Sequence, residues 1–182
     1  MKKLIKISFM AVLVILFIGF IIPERKAMPC CTPADYNHNT FWYWPWTRGV
    51  NGHPHTGVDI FGKVGAPVVS QTGGLVIYAK DMPGKAGKSV FVLGPKWRVH
   101  EYLHLNSIEV KRFEFVMPGE KIATLGKSGN AASTPAHVHY GIITPIPYVW
   151  KAFGSAGTCN APKKYNWRLM FWLDPAKHLP TK

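Results

Sequence analysis

Hydrophobic and polar positions divide the chain into two unequal parts. Lys2, Lys3 and Lys6 precede an apolar run from Ile7 to Ile22 that is broken only by Ser8 and Gly19. A basic start followed by an apolar stretch directs a chain to the membrane for export. As a helix, a run of this length extends about 24 Å, against a hydrocarbon core of about 30 Å. It therefore stands between a signal peptide and an uncleaved anchor. The flank Pro23-Glu24-Arg25-Lys26 offers no small-x-small cleavage site, which favours the anchor. Downstream, from 57 to about 143, apolar residues come in short β-branched runs between Gly and Pro. These are Ala66–Ser70, Gly74–Ala79, Ser89–Leu93, Lys121–Leu125 and His137–Ile142. Trp97 to Leu105 is the expected hairpin partner of 89–93. Such spacing predicts a mainly β fold, a compact antiparallel β sandwich or barrel-like domain.

The remaining segments complete the expected organisation. Residues 1–26 form the signal peptide or anchor, 27–47 a linker with an aromatic lead-in, and 48–182 the domain. Residues 144–171 form an irregular C-terminal insertion in which Pro145 and Pro147 break any strand. The aromatic stretch Phe41-Trp42-Tyr43-Trp44-Pro45-Trp46 is expected to pack in the core.

Composition changes the picture in two ways. Lys+Arg 22 against Asp+Glu 9 gives a net charge of +13, which suits an anionic partner but says nothing of fold. There is no paired-cysteine finger and no basic heptad helix, so nucleic acid is not expected. Cys30 and Cys31 are adjacent and Cys159 is distant. At most one bridge between distant segments can form, to Cys159.

The 8 histidines carry the chemistry. In a strand, His137 and His139 point the same way with Val138 between them, so one can bind a metal while its neighbour handles protons or charge. His55 and Asp59 flank Gly57 after Pro54, on a turn entering a strand, and both side chains are metal ligands. Two histidines and a carboxylate leave the fourth position of a tetrahedral zinc open to water, as catalytic sites do. A zinc-bound water reaches a pKa of about 7. A competing pattern is His100-Glu101-Tyr102-Leu103-His104, which matches the His-Glu-x-x-His of helical zinc proteases. That pattern needs a helix, and Gly94-Pro95 upstream resists one. Read with period two, His104 faces the same way as Tyr102 and His100.

Several segments, taken in order, resemble the lysostaphin-type, LytM-like zinc metalloendopeptidases of bacterial cell walls. They are His55-Thr56-Gly57-Val58-Asp59-Ile60, Ala66-Pro67-Val68, Gly74-Leu75-Val76, Tyr102-Leu103-His104-Leu105, Pro118-Gly119-Glu120-Lys121-Ile122, Gly126-Lys127-Ser128-Gly129, His137-Val138-His139-Tyr140 and Trp172-Leu173-Asp174-Pro175. The resemblance implies a metallopeptidase domain holding one Zn²⁺ per chain on His55, Asp59 and His139. It implies His104 and His137 as the non-ligand pair that activates water and stabilises the oxyanion. His100 and Glu101 then have no metal role, and His53 is a loop residue. The implied activity is hydrolysis of peptidoglycan stem or cross-bridge peptides by an exported enzyme of the bacterial cell envelope, in the periplasm or on the outer face of the cytoplasmic membrane. Residues 7–22 would associate with the inner membrane. The long segment after His139 departs from the family pattern, so substrate preference is not carried over. Two other readings compete. One is a catalytically inactive peptidoglycan-binding or regulatory domain on the same fold. The other is a lipoyl- or biotinyl-type carrier, suggested by Gly119-Glu120-Lys121-Ile122-Ala123, although no lysine sits in a convincing modified hairpin.

Overall fold

The computed structural model describes residues 2–31, 35, 36, 41, 55–82, 84, 86–152 and 167–180. Helix α1 (Lys2–Ile21) takes in most of the apolar run. Among the described residues no helix is long and apolar enough to cross a membrane. The strands are β1 (Asp35–Tyr36), β2 (Gly57–Phe61), β3 (Pro67–Val69), β4 (Gly74–Met82), β5 (Gly87–Leu93) and β6 (Val99–Leu103). They continue with β7 (Leu105–Ile108), β8 (Phe115–Val116), β9 (Lys121–Leu125), β10 (His137–Ile143) and β11 (Trp172–Leu173).

Every pairing among the described residues is antiparallel. One sheet runs β1-β2-β10-β6-β5-β4-β8 with β11 added beside β10, and a smaller one runs β3-β9-β7. The expected β architecture and its N-terminal helix are therefore present, and β5 pairs with β6 as the hairpin reading requires. Val58, Ile60, Val138, Tyr140 and Ile142 from the large sheet share one fully buried cluster with Val68, Ile122 and Leu125 from the small one. Each such aliphatic side chain contributes roughly 1.5–3 kcal/mol by leaving water.

Register decides which residues share a face. His139 lies opposite Asp59 on β2 and opposite Leu103 on β6, and Gly141 opposite Gly57 and Glu101. Residues directly across a ladder project to the same side, and alternate residues to opposite sides. His137, His139, Asp59 and Glu101 therefore share one face of the sheet. Val138, Tyr140, Ile142, Tyr102 and His100 occupy the other, toward the core.

One expectation fails here. The period-two reading of 97–105 put His104 on the side of His100 and Tyr102. The strand instead ends at Leu103, and His104 takes a left-handed φ of +64°. That single residue turns the chain into β7 and moves the imidazole to the His137–His139 side.

The segment after α1 lies against the domain. The Ala27 amide donates to the Gln71 carbonyl at 2.7 Å and the Val69 amide to the Pro29 carbonyl at 2.8 Å. Cys30 is buried, bridges to Val68 and is disulfide-bonded to Cys31. Cys159 lies outside the described residues, as do His53, residues 42–46 of the aromatic stretch, and 153–166 of the insertion. Phe41 is buried and packs with Leu169 and Trp172.

Candidate metal centre

Strand β2 delivers Asp59 and, two residues before it begins, His55. Strand β10 delivers His137 and His139. Gly57 allows the two strands to close over the site: a Cβ there would collide with the Tyr140 carbonyl and the His139 ring. His55 Nε2 lies 3.0 Å from Asp59 Oδ1, and His139 Nδ1 lies 3.0 Å from each of them.

This triangle has the shape of a metal cradle. Ligand atoms about 2.0–2.2 Å from a tetrahedral zinc lie roughly 3.3 Å from one another. Hydrogen bonding accounts less well for the same shape, because two imidazole nitrogens and a carboxylate oxygen all face one point. Borderline-soft nitrogen with one hard oxygen is also the donor set zinc takes. Among the described residues this is the group of three potential ligands close enough to hold an ion.

The electrostatics agree. Burial pushes the Asp59 carboxyl up, but hydrogen bonds and charge from His139 and His55 outweigh it and hold it well below the usual carboxylate range. Burial lowers the His139 imidazole, yet Asp59 and Glu101 outweigh burial and raise it to about 9. A site that draws a proton this strongly when metal-free is a site of concentrated negative potential.

Two further histidines stand beside the triangle. The His137 and His104 rings are 5.0 Å apart between centroids, and His104 is 6.1 Å from His139. His104 Nδ1 donates to the Ser128 carbonyl at 3.0 Å, and His137 Nδ1 donates to the Pro135 carbonyl at 2.8 Å. Those bonds place the protons on Nδ1 and leave each Nε2 with a free lone pair. His137 Nε2 lies 3.8 Å from Asp59 Oδ1. Burial, helped by the charges of His139 and His137, lowers His104 to about 4. At neutral pH it is an uncharged base.

The helical-protease pattern makes no site. Residues 100–103 are strand, and His100 bonds to Tyr140 on the core face, with Nδ1 2.7 Å from the hydroxyl oxygen. His104 is on the other face, so the two histidines share no ion. Glu101 is a residue that sequence reasoning set aside. Its Oε1 lies 3.7 Å from His139 Nε2. The signal for it was the Glu101–Gly141 cross-strand pair, which no reading of one segment alone reveals.

Fold and site together define a class: an antiparallel β domain with a two-histidine, one-carboxylate cradle of the kind that hydrolytic zinc occupies. The model described as Peptidase family M23 matches residues 53–148, and the chain belongs to that family. It is 30% identical over 150 residues to the glycyl-glycine endopeptidase ALE-1 of Staphylococcus capitis, covering 70% of this chain and 41% of that protein. It is 32% identical over 132 residues to an L-Ala–D-Glu endopeptidase of Bacillus subtilis, covering 68% and 40%. The chain thus spans less than half the length of these relatives. Among solved structures, lysostaphin from Staphylococcus simulans shares the fold at TM-score 0.61 and 20% identity, over 86% of this chain and 52% of that one. A zinc-containing peptidase from Vibrio cholerae matches at TM-score 0.54 and 29% identity, over 66% and 36%.

Proposed function

We propose that the protein is a zinc-dependent endopeptidase that hydrolyses peptide bonds in peptidoglycan stems or cross-bridges. The observation that carries this reading is the 3.0 Å triangle of His55 Nε2, Asp59 Oδ1 and His139 Nδ1, with two tautomer-locked histidines beside it. His55, Asp59 and His139 would hold the zinc, which when bound would supply a low-pKa water and Lewis-acid polarisation of a carbonyl.

The chain's own residues divide the remaining work. His137 and His104 present free Nε2 atoms, one able to take the proton of the attacking water. The ring that takes that proton becomes an imidazolium, and its new Nε2–H donates to the oxygen that becomes negative in the tetrahedral intermediate. The carbonyls of Ser128 and Pro135 keep both rings in orientation and tautomer. The proton taken from water then passes to the departing amine.

Export to the cell envelope and membrane association through 7–22 fit a wall substrate, and a net charge of +13 favours approach to an anionic wall polymer. No nucleic-acid role is proposed. The test is digestion of purified walls and defined muropeptides, with chelator and with zinc restored. Product masses would identify the bond cut. Undiminished hydrolysis by a zinc-free His139→Ala chain would overturn the reading.

A further inference from the structure

The geometry points to Glu101 as a positioning residue for the metal centre: its carboxylate stands behind His139 and holds that ring with Nδ1 toward His55 and Asp59 and the proton on Nε2. The inference rests on the zinc reading above and concerns a residue that this reading left without a role.

Three observations meet at this point. The first is tautomer. Nδ1 of His139 is committed to the triangle, 3.0 Å from both His55 Nε2 and Asp59 Oδ1. If Nδ1 offers its lone pair to a metal, the ring proton must sit on Nε2. The second is isolation. Nε2 is fully buried and has no hydrogen-bond partner. A buried N–H left unpaired costs roughly 1–3 kcal/mol, so an acceptor in reach has a large effect. Glu101 Oε1 is 3.7 Å away, longer than a hydrogen bond but without any other ion pair drawing Glu101 elsewhere among the described residues.

The third is the slot that holds the carboxylate. Glu101 is only 5% exposed, and a buried carboxylate with no partner is unfavourable. Its neighbour across the ladder is Gly141. A Cβ at Gly141 would fall onto the Glu101 carboxylate. The missing side chain on β10 is therefore the space that the carboxylate fills. Because Glu101 and His139 lie on one face of adjacent strands, this slot opens toward the back of the His139 ring.

Metal-ligating histidines commonly give their second N–H to a carboxylate, and loss of that partner typically lowers metal affinity 10–100-fold. The test is zinc affinity of the full chain, measured by chelator competition, together with the ¹H–¹⁵N signal of His139 Nε2–H in the zinc-loaded protein. Glu101→Leu should fold with an unchanged far-ultraviolet spectrum, bind zinc about 10–100-fold more weakly and lose the protected Nε2–H signal. Glu101→Gln, whose amide oxygen still accepts, should recover most of both. Gly141→Ala keeps the carboxylate but displaces it. It should mimic Glu101→Leu, and it covers the case in which the leucine chain fails to fold. Native affinity and a native Nε2–H signal in folded Glu101→Leu or Gly141→Ala would overturn the role of Glu101 while leaving the zinc site intact. A natural chain that binds no zinc would overturn the reading beneath it instead.

Discussion

Two buried polar clusters lie on opposite faces of the β6–β10 pair, and both are built from histidine and carboxylate. On one face are His139, His137, Asp59 and Glu101. On the other are His100, Arg98, Glu24 and Tyr140. Arg98 Nη1 donates to Glu24 Oε2 at 2.8 Å, and His100 Nε2 lies 3.7 Å from Glu24 Oε1. The second cluster contains its own cation, so its charge is balanced internally. The first has two carboxylates, Asp59 and Glu101, with only imidazoles for company. That difference separates a polar network that joins two parts of a fold from one whose unbalanced negative charge calls for an ion. Histidine content alone would not have told them apart.

The sharpest break between the faces comes from deleting a ring on each. His139→Ala or Asp59→Ala should abolish zinc retention and take wall hydrolysis to background, whereas His100→Ala should leave zinc content unchanged. Metal analysis of the purified chains beside zymography checks this. The next effect is smaller. His104→Ala and His137→Ala should keep zinc but lose about 10²–10⁴-fold in kcat/KM, the usual span for a positioned acid or base. Zinc loss from either variant would mean that the helper histidines ligate, and the division of roles would be wrong.

Much of this contrast could be read from residue order, and some could not. Lys121–Leu125 alternates cleanly between β-branched and other residues, and His137–Ile142 is a short run that sets His137 and His139 against Val138 and Tyr140, so β9 and β10 were expected almost to the residue. His55, Asp59 and the His137–His139 pair stood out because donor types sit at short spacing within each segment, and the choice of His139 over its neighbour came from the family resemblance. His104 was half legible. Its proximity to the centre depends on one left-handed φ, and nothing around a histidine announces that conformation. Two-residue strands such as β8 have no period to detect. Glu101 and Glu24 were invisible for a shared reason. The value of each depends on a partner distant in the chain, Gly141 and His139 for one and Arg98 for the other.

The internally balanced cluster predicts a loss of stability without loss of metal. The Arg98 and Glu24 side chains are 8% and 5% exposed, so Arg98→Met leaves a buried carboxylate uncompensated. Breaking such a pair from one side costs about 3–5 kcal/mol. Chemical denaturation should show that loss, and the Glu24→Leu/Arg98→Met double variant should recover most of it, because replacing both charges removes the unpaired one. Zinc affinity should not move in either. A single variant as stable as the natural chain would mean that Glu24 does not dock against the domain.

The finest distinction between the two faces is an alkaline-side loss of stability, which His139 gives the metal face and His100 does not give the other. Burial, reinforced by the charges of Arg98, His178 and Lys26, pushes His100 down to about 3 despite the nearby Glu24 and the Tyr140 hydroxyl. Between that value and the ordinary 6.5 the unfolded chain holds a proton that the folded chain refuses. The contribution of neutral His100 is therefore complete above about pH 6.5 and is lost as pH falls toward 3. His139 in the metal-free chain is raised to about 9. Its contribution is complete below about pH 6.5 and is lost as pH rises through 9. Urea midpoints of the metal-free protein across this range should fall at both ends. His139→Ala should flatten the alkaline fall, and His100→Asn should remove only its own share of the acid fall, since His104, His178 and Asp59 are also held below their ordinary values. Saturating zinc should also remove the alkaline fall, since a ring whose Nδ1 holds a metal no longer takes up that proton. An alkaline fall that survives both zinc and His139→Ala would show that the excess negative charge of the metal face is compensated elsewhere, and the contrast between the faces would lose its electrostatic basis.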